Sequence, residues 1–288
     1  VAHALDNVLL PALGERPYDA ITTGELVDFY VDLEERYEPS TVRRYHGMIS
    51  KLYGDLERLE ELPLTRNPVR RLPEVPGGIA PKRSVPTPAE FARIVEAATD
   101  YSPAYATYLL LAAASGIRRG SMLALRWRDV DVAAGVVTVY QAVSVDETGE
   151  VFLRGTKSGS SFPVAILGRA LDALREHRRR AAETALALGL AGGFDDLYVF
   201  SADGGRSHWS VSHPSHAFAK CARRVDLGRF RLHDVRHFAA SVMLRGRVPV
   251  AVVAERLGCT EANVHRTYSH HFPTDGDTRA AEAMAAVL

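Results

Sequence analysis

Apolar positions along the chain follow two periods, and the changes between them mark the elements. Thr22 and Glu25 form a capping pair ahead of an apolar pattern that predicts a helix running to about Arg36. After Pro39, Ser40 is placed to cap a second helix. There Val42, Tyr45, Ile49, Leu52, Leu56 and Leu59 repeat at spacings of three and four, a stripe that faces a core. Periodicity then stops over 62–88, which reads LPLTRNPVRRLPEVPGGIAPKRSVPTP. Proline fixes φ and removes a donor, so this stretch predicts an extended connector. Thr87-Pro88-Ala89-Glu90 supplies an N-cap, a proline at the first helical position and an acid at the third. The helical pattern then continues to about Leu125. The period changes to two over 135–140, and 151–154 and 162–166 read as two more strands, joined by a turn around 156–161. Helical spacing returns over 168–188, 211–225, 233–245 and 250–257. The order predicts a mainly α protein with a small antiparallel β-sheet (α+β). It has a helical domain at 1–75, a linker at 76–88 and a larger domain at 89–288.

Composition keeps this picture within the globular class. The chain has 288 residues, 47% hydrophobic and 24% charged, enough for about two domains and too apolar for disorder. The longest apolar stretch, around 108–114, is far short of the ~20 residues a membrane helix needs. No basic segment followed by an apolar run opens the chain, and two cysteines, Cys221 and Cys259, cannot build a disulfide framework. A reducing cytoplasm is the expected compartment. The first residue is Val rather than Met, which fits a processed or trimmed start.

Net charge is zero and the pI is about 7.3, which taken alone argues weakly against a nucleic-acid partner. The average hides an asymmetry. Residues 1–61 carry six Lys/Arg against thirteen Asp/Glu, whereas 62–84 carry five Lys/Arg against one Glu. Fields act within a Debye length of ~8–10 Å, so overall neutrality leaves room for a basic face. On the second helix Arg44, Lys51 and Arg58 share a line with Gly47 and Gly54. That line is either an ordinary solvated face or a surface that glycine lets approach a DNA backbone.

Four local patterns carry candidate chemistry. Ser115-Gly116-Ile117-Arg118-Arg119-Gly120 puts an arginine just after a glycine at a helix turn, where it either decorates the surface or aims into a cleft. Lys157, in Thr156-Lys157-Ser158-Gly159 between two strands, is either solvent-facing or able to protonate a leaving oxygen. In Arg231-Leu232-His233-Asp234-Val235-Arg236-His237, the residues His233, Arg236, His237 and Ala240 fall on one side of a starting helix. A histidine and an arginine at a helix N-terminus suit an anion. Finally, Arg256-Leu257-Gly258-Cys259 precedes Val264-His265-Arg266-Thr267-Tyr268. Tyr268 is either a packing residue or a nucleophile whose phenolate nearby arginines stabilise.

In this order the patterns resemble the tyrosine recombinases of the phage integrase family. LHDVRHFAAS is a near-complete match to that family's most diagnostic segment, and SGIRRGSMLALRWRDVD, TKSGSSFPV and ERLGCTEANVHRTYSH match in order and spacing. The resemblance covers nearly all of 89–288 as a catalytic domain. PSTVRRYHGMISKLYGDL resembles the family's helical, SAM-like core-binding domain less specifically. The resemblance implies that Arg118 and Arg236 clamp the scissile phosphate and that Tyr268 is the nucleophile forming a 3′-phosphotyrosine. It gives Lys157 the protonation of the 5′-oxygen and His233 the transfer of a proton with the tyrosine. No cofactor, metal or ATP is implied. The implied partners are double-stranded DNA and three further copies of the chain, a homotetramer on two DNA sites, with a directionality factor as a further possibility. Arg43, Arg44, Lys51, Lys82 and Arg83 are the expected phosphate contacts. The expected activity is site-specific cleavage and rejoining of DNA for integration or excision of a mobile element. Integrases of the family often carry an extra N-terminal arm-binding domain, and the non-Met start fits a missing one.

Two positions depart from the family pattern. Cys259 stands where His or Trp is usual, and a thiol is a weak donor. Ser121 stands where an acid usually follows the first arginine. They motivate an alternative, a DNA-binding relative with weakened cleavage. A metalloenzyme using His213, His216, Cys221 or Cys259 is a remote third reading, because no partner motif has a standard zinc spacing. The tail after Pro273, with Ala280, Met284 and Val287 at helical spacing, docks either on a neighbouring subunit or on its own domain.

Overall fold

A computed structural model describes residues 4–59, 64, 66–78, 84–155, 161–269 and 284. It divides the chain into two units, Val1–Arg83 and Ser84–Leu288. In the first, a π-helical turn (Leu5–Leu9) runs into α1 (Leu10–Leu13), followed by α2 (Thr23–Arg36) and α3 (Pro39–Leu56). Thr22 starts α2 as its sequence predicts. Its hydroxyl accepts the Glu25 N–H at 3.2 Å, and its own N–H donates to the Glu25 carboxylate at 2.8 Å. The backbone bond from Thr22, then the hydrogen bond from Arg16, hold that carboxyl down at about 2.

The start of α3 differs from expectation. Ser40 lies inside the helix, which begins at Pro39 because proline pre-sets the helical φ at the first position. The buried stripe is Val42, Tyr45, Ile49, Tyr53 and Leu56; Leu52 and Leu59 are exposed. Tyr53 takes the buried place because its hydroxyl reaches the Tyr18 carbonyl at 2.9 Å, which lets an aromatic with a polar tip fill the core. This stripe packs with Leu26, Phe29, Tyr30 and Leu33 of α2. The connector is tied back to the same unit at Gly77. Glu34 accepts the Gly77 N–H at 2.8 Å, and Arg43 donates to the Gly77 and Gly78 carbonyls. Gly77 has φ +76°, and a Cβ there would sit 2.5 Å from the Pro39 carbonyl oxygen.

The second unit opens with α4 (Pro88–Tyr101), capped by Thr87 and Glu90 as predicted. Next come α5 (Pro103–Ser115) and α6 (Arg119–Ala124). α5 is buried nearly all round, with Tyr105, Tyr108, Leu109 and Leu111 packed among Trp127, Phe200 and Phe218. Strands β1 (Val130–Asp131), β2 (Val136–Val139) and β5 (Phe162–Ala165) form an antiparallel sheet in the order β1-β2-β5, with Val137 opposite Val164. β3 (Gln141–Val145) and β4 (Val151–Gly155) form a separate hairpin with Val143 opposite Leu153.

The expected hairpin of residues 151–154 with 162–166 is therefore not the one that forms. Asp146 closes the turn instead, accepting N–H bonds from Thr148 and Glu150 at 2.9 and 2.8 Å, and this sends β4 back along β3. The helices α7 (Gly168–Ala187), α8 (His213–Arg224), α9 (Leu232–Arg245), α10 (Val250–Leu257) and α11 (Glu261–Tyr268) follow. α9 is shared between two cores. Val235 belongs to the large one, whereas Ala240 and Leu244 pack with Val253, Leu257, Val264 and Tyr268 in a smaller one. Among the described residues no helix is long and apolar enough to cross a membrane. Of the tail positions, Ala280 and Val287 lie outside the described residues, and Met284 is exposed.

Candidate active site

The ends of two helices assemble this site. α5 stops at Gly116, whose φ of +67° is the left-handed conformation that ends helices. A Cβ there would lie 2.6 Å from a Leu257 methyl, so the close approach of α10 requires glycine. α10 stops in the same way at Gly258, φ +60°, where a Cβ would meet the Phe162 ring at 2.9 Å. A helix C-terminus leaves carbonyls without helical partners and carries partial negative charge. Here those carbonyls collect guanidinium groups. Arg236 donates to Gly116 O at 2.7 Å and to Leu257 O at 2.8 Å, and Arg118 donates to Gly258 O at 2.7 Å. Arg256, to which sequence reasoning gave no role, donates to Ala114 O and Ala165 O at 2.6 and 2.7 Å. It thereby fastens α10 to α5 and β5. Nothing in its local sequence distinguishes it from a solvated arginine.

Burial and like charge then set the electrostatics. Arg236 is only 8% exposed. Burial first, and the neighbouring Arg118 second, push its guanidinium down to about 10. The nearby Tyr268 phenol and Cys259 thiol act in the opposite sense. Tyr268 closes α11 and is 6% exposed. Burial raises its phenol above the ordinary tyrosine value, while Arg236 and Arg118 draw it part of the way back. A neutral phenol therefore faces two guanidinium groups. A cleft of about 370 Å³ beside them is lined in part by Arg118, Arg119, Ser215, His233 and Arg236. A buried cation and an exposed one beside a single cleft suit an anion with two exposed oxygens, since planar guanidinium groups donate in pairs.

α9 brings its histidines to the same place. Asp234 fixes the helix start by accepting the Arg231 N–H at 2.7 Å. His233 is exposed, and its ring meets His237 edge-on at 4.7 Å. His237 in turn meets the Tyr268 ring at 5.4 Å. The structure therefore brings together Arg118, His233, Arg236, Cys259 and Tyr268. It adds His237, whose place on the predicted face was visible in sequence but which carried no assigned role. Lys157, Lys82 and Arg83 lie outside the described residues. Ser121 is half-buried on α6.

On α3, Arg44 is exposed and Lys51 pairs with Asp55 at 2.5 Å. A Cβ at Gly47 or Gly54 would meet nothing within 4 Å, so that helix face is open. Arg43 is committed to the connector carbonyls described above. Among the described residues, no group of three or more His, Cys, Asp or Glu side chains is placed to hold a metal ion.

Comparison with known proteins adds the following. The model of the phage integrase family matches residues 85–274. A XerC-like tyrosine recombinase of Caldanaerobacter subterraneus subsp. tengcongensis is 27% identical over 190 residues, 61% of this chain and 47% of that protein. The ICEBs1 integrase of Bacillus subtilis is 28% identical over 261 residues, 88% of this chain and 68% of that protein. The chain thus spans about half the length of the first relative and two thirds of the second. Among solved structures, the Tn1549 transposon integrase in complex with transposon right-end DNA superposes with a TM-score of 0.79 at 12% identity, covering 99% of this chain and 92% of that one. At that identity the likeness is one of fold.

Proposed function

The chain belongs to the phage integrase family, and from that premise we propose that it cleaves and rejoins DNA at specific sites through a 3′-phosphotyrosine. The observation that carries this reading is the gathering of Arg118, Arg236 and Tyr268, from three separate elements, within electrostatic reach of one another beside a cleft that the two arginines line. In the proposed reaction the two guanidinium groups bind the non-bridging oxygens of a phosphodiester and oppose the charge that builds there during attack. The Tyr268 oxygen attacks phosphorus and the 5′-oxygen leaves. The phenol loses its proton toward His233, and Lys157 supplies one to the 5′-oxygen. The phosphotyrosine is close in energy to the diester it replaces, so a 5′-hydroxyl can reverse the attack without ATP. Reversal onto another strand is recombination. The guanidinium pair supplies positive charge that a metal ion would otherwise bring.

Arg44 and Lys51 on the open face of α3, with Lys82 and Arg83 of the connector, are the proposed backbone contacts. Arg43 is assigned to holding the connector. Likeness in sequence to the ICEBs1 integrase of Bacillus subtilis supports an integrase's role. A homotetramer on two duplexes is the proposed working assembly, and the cytoplasm is the proposed compartment. The placement of Cys259 against Arg236 favours a second reading, a relative that binds DNA but cleaves it weakly. Covalent trapping separates the two. Nicked duplexes cut from the DNA flanking the gene should give detergent-stable adducts with the parent and none with Tyr268→Phe, while both shift DNA in a gel. Shifts without adducts in either protein would establish the second reading.

A further inference from the structure

We infer that His237 is a positioning residue for the nucleophile. Its ring holds Tyr268 toward the arginine pair and keeps His233 beside it. The inference rests on the reading of Tyr268 as the attacking group. Residues four apart on a helix stack one above the other, which places His233 and His237 in one column on α9. The ring contacts continue that column. His233 meets His237 at 4.7 Å with planes at 85°, and His237 meets Tyr268 at 5.4 Å with planes at 57°. Both distances lie in the range of favourable aromatic contacts.

The two ends of Tyr268 have different surroundings. The phenolic oxygen interacts with Arg236, Arg118 and Cys259, while the ring rests beside His237. Tyr268 is also the last residue of its helix, and terminal turns fray. A phenol there needs lateral support to keep its oxygen aimed. The smaller core gives one wall, through Val264, Leu257 and Ala240. His237, half-buried and anchored on the longer α9, gives another. A misplacement of about 1 Å at a nucleophile can cost roughly a hundredfold in rate. The contribution is made by the ring, so another aromatic ring should substitute for imidazole. Among the described residues, the titratable rings in contact with it are His233 on its own helix and Tyr268 on α11.

The test is single-turnover cleavage by the full chain, with nicked duplexes from the DNA flanking its gene as probe. The variants are His237→Ala, His237→Gln and His237→Phe, with Tyr268→Phe as control. Ala and Gln should slow adduct formation at saturating DNA by at least about tenfold. DNA affinity should stay within about twofold, because the loss is in aim rather than in binding. Phe should recover most of the rate with the pH profile of the parent. Parental rates in both Ala and Gln would overturn the inference. So would a Phe variant as slow as Ala, with one limb of the pH profile lost, since that would make imidazole an acid or base. Adducts absent from the parent, or present in Tyr268→Phe, would instead bring down the assignment of the nucleophile and this inference with it.

Discussion

At the scale of single residues, the site depends on side chains held by groups that do not react. Arg236 reaches two backbone carbonyls and Arg118 a third, so their guanidinium groups are aimed before any DNA arrives. Preorganisation of this kind avoids reorganisation during the reaction. Cys259 is the weak member. It lies against Arg236 and near Tyr268, where a stronger donor would add a hydrogen bond to the developing charge. A hydrogen bond worth roughly 0.5–1.5 kcal/mol corresponds to a rate gain of about two- to tenfold. Cys259→His should therefore form adducts faster than the parent in a single-turnover assay. An unchanged or slower rate would show that the thiol is already adequate there.

At the scale of elements, two glycine stops do more than end helices. Gly116 and Gly258 turn the last carbonyls of α5 and α10 toward the arginines and permit the close approach of Leu257 and Phe162. Gly116→Ala should cost about 1–3 kcal/mol in urea unfolding, because alanine is strained at positive φ and its methyl would strike Leu257. It should also slow cleavage, because the Gly116 carbonyl anchors Arg236. Much of this was legible in sequence. The capping boxes at Thr22 and Thr87 signal their helices locally, and the spacing of His233, Arg236 and His237 signals one face. What was not legible depends on partners distant in the chain. Tyr53 replaced Leu52 in the stripe because the Tyr18 carbonyl happens to be near. Residues 141–145 gave no break after β2, so β3 and its pairing with β4 were missed. Arg256 looks like any charged residue until Ala114 and Ala165 are placed around it. The short 261–268 segment, too polar to show a strong stripe, became a helix through Thr260, whose hydroxyl accepts the Asn263 N–H.

At the scale of the whole molecule, a net charge of zero coexists with local concentrations of positive charge in the site and in the connector sequence. Phosphate contacts release counterions, so affinity for DNA should fall by roughly a thousandfold or more between 50 and 200 mM salt if six or more phosphates are contacted. A titration that changes less than about tenfold over that range would contradict a backbone-dominated grip. The paired arginines have a consequence of a different kind. Arg236 is buried beside the exposed Arg118, and burial first and that like charge second raise the free energy of the folded chain while no anion lies between them. On the proposed reading, a phosphate that relieves this repulsion would favour the folded state, and the protein would be at its most stable on DNA. Selection for heat resistance without DNA would then favour neutral replacements at Arg118 and enrich for inactive chains, which makes the site a place where stability and activity are opposed.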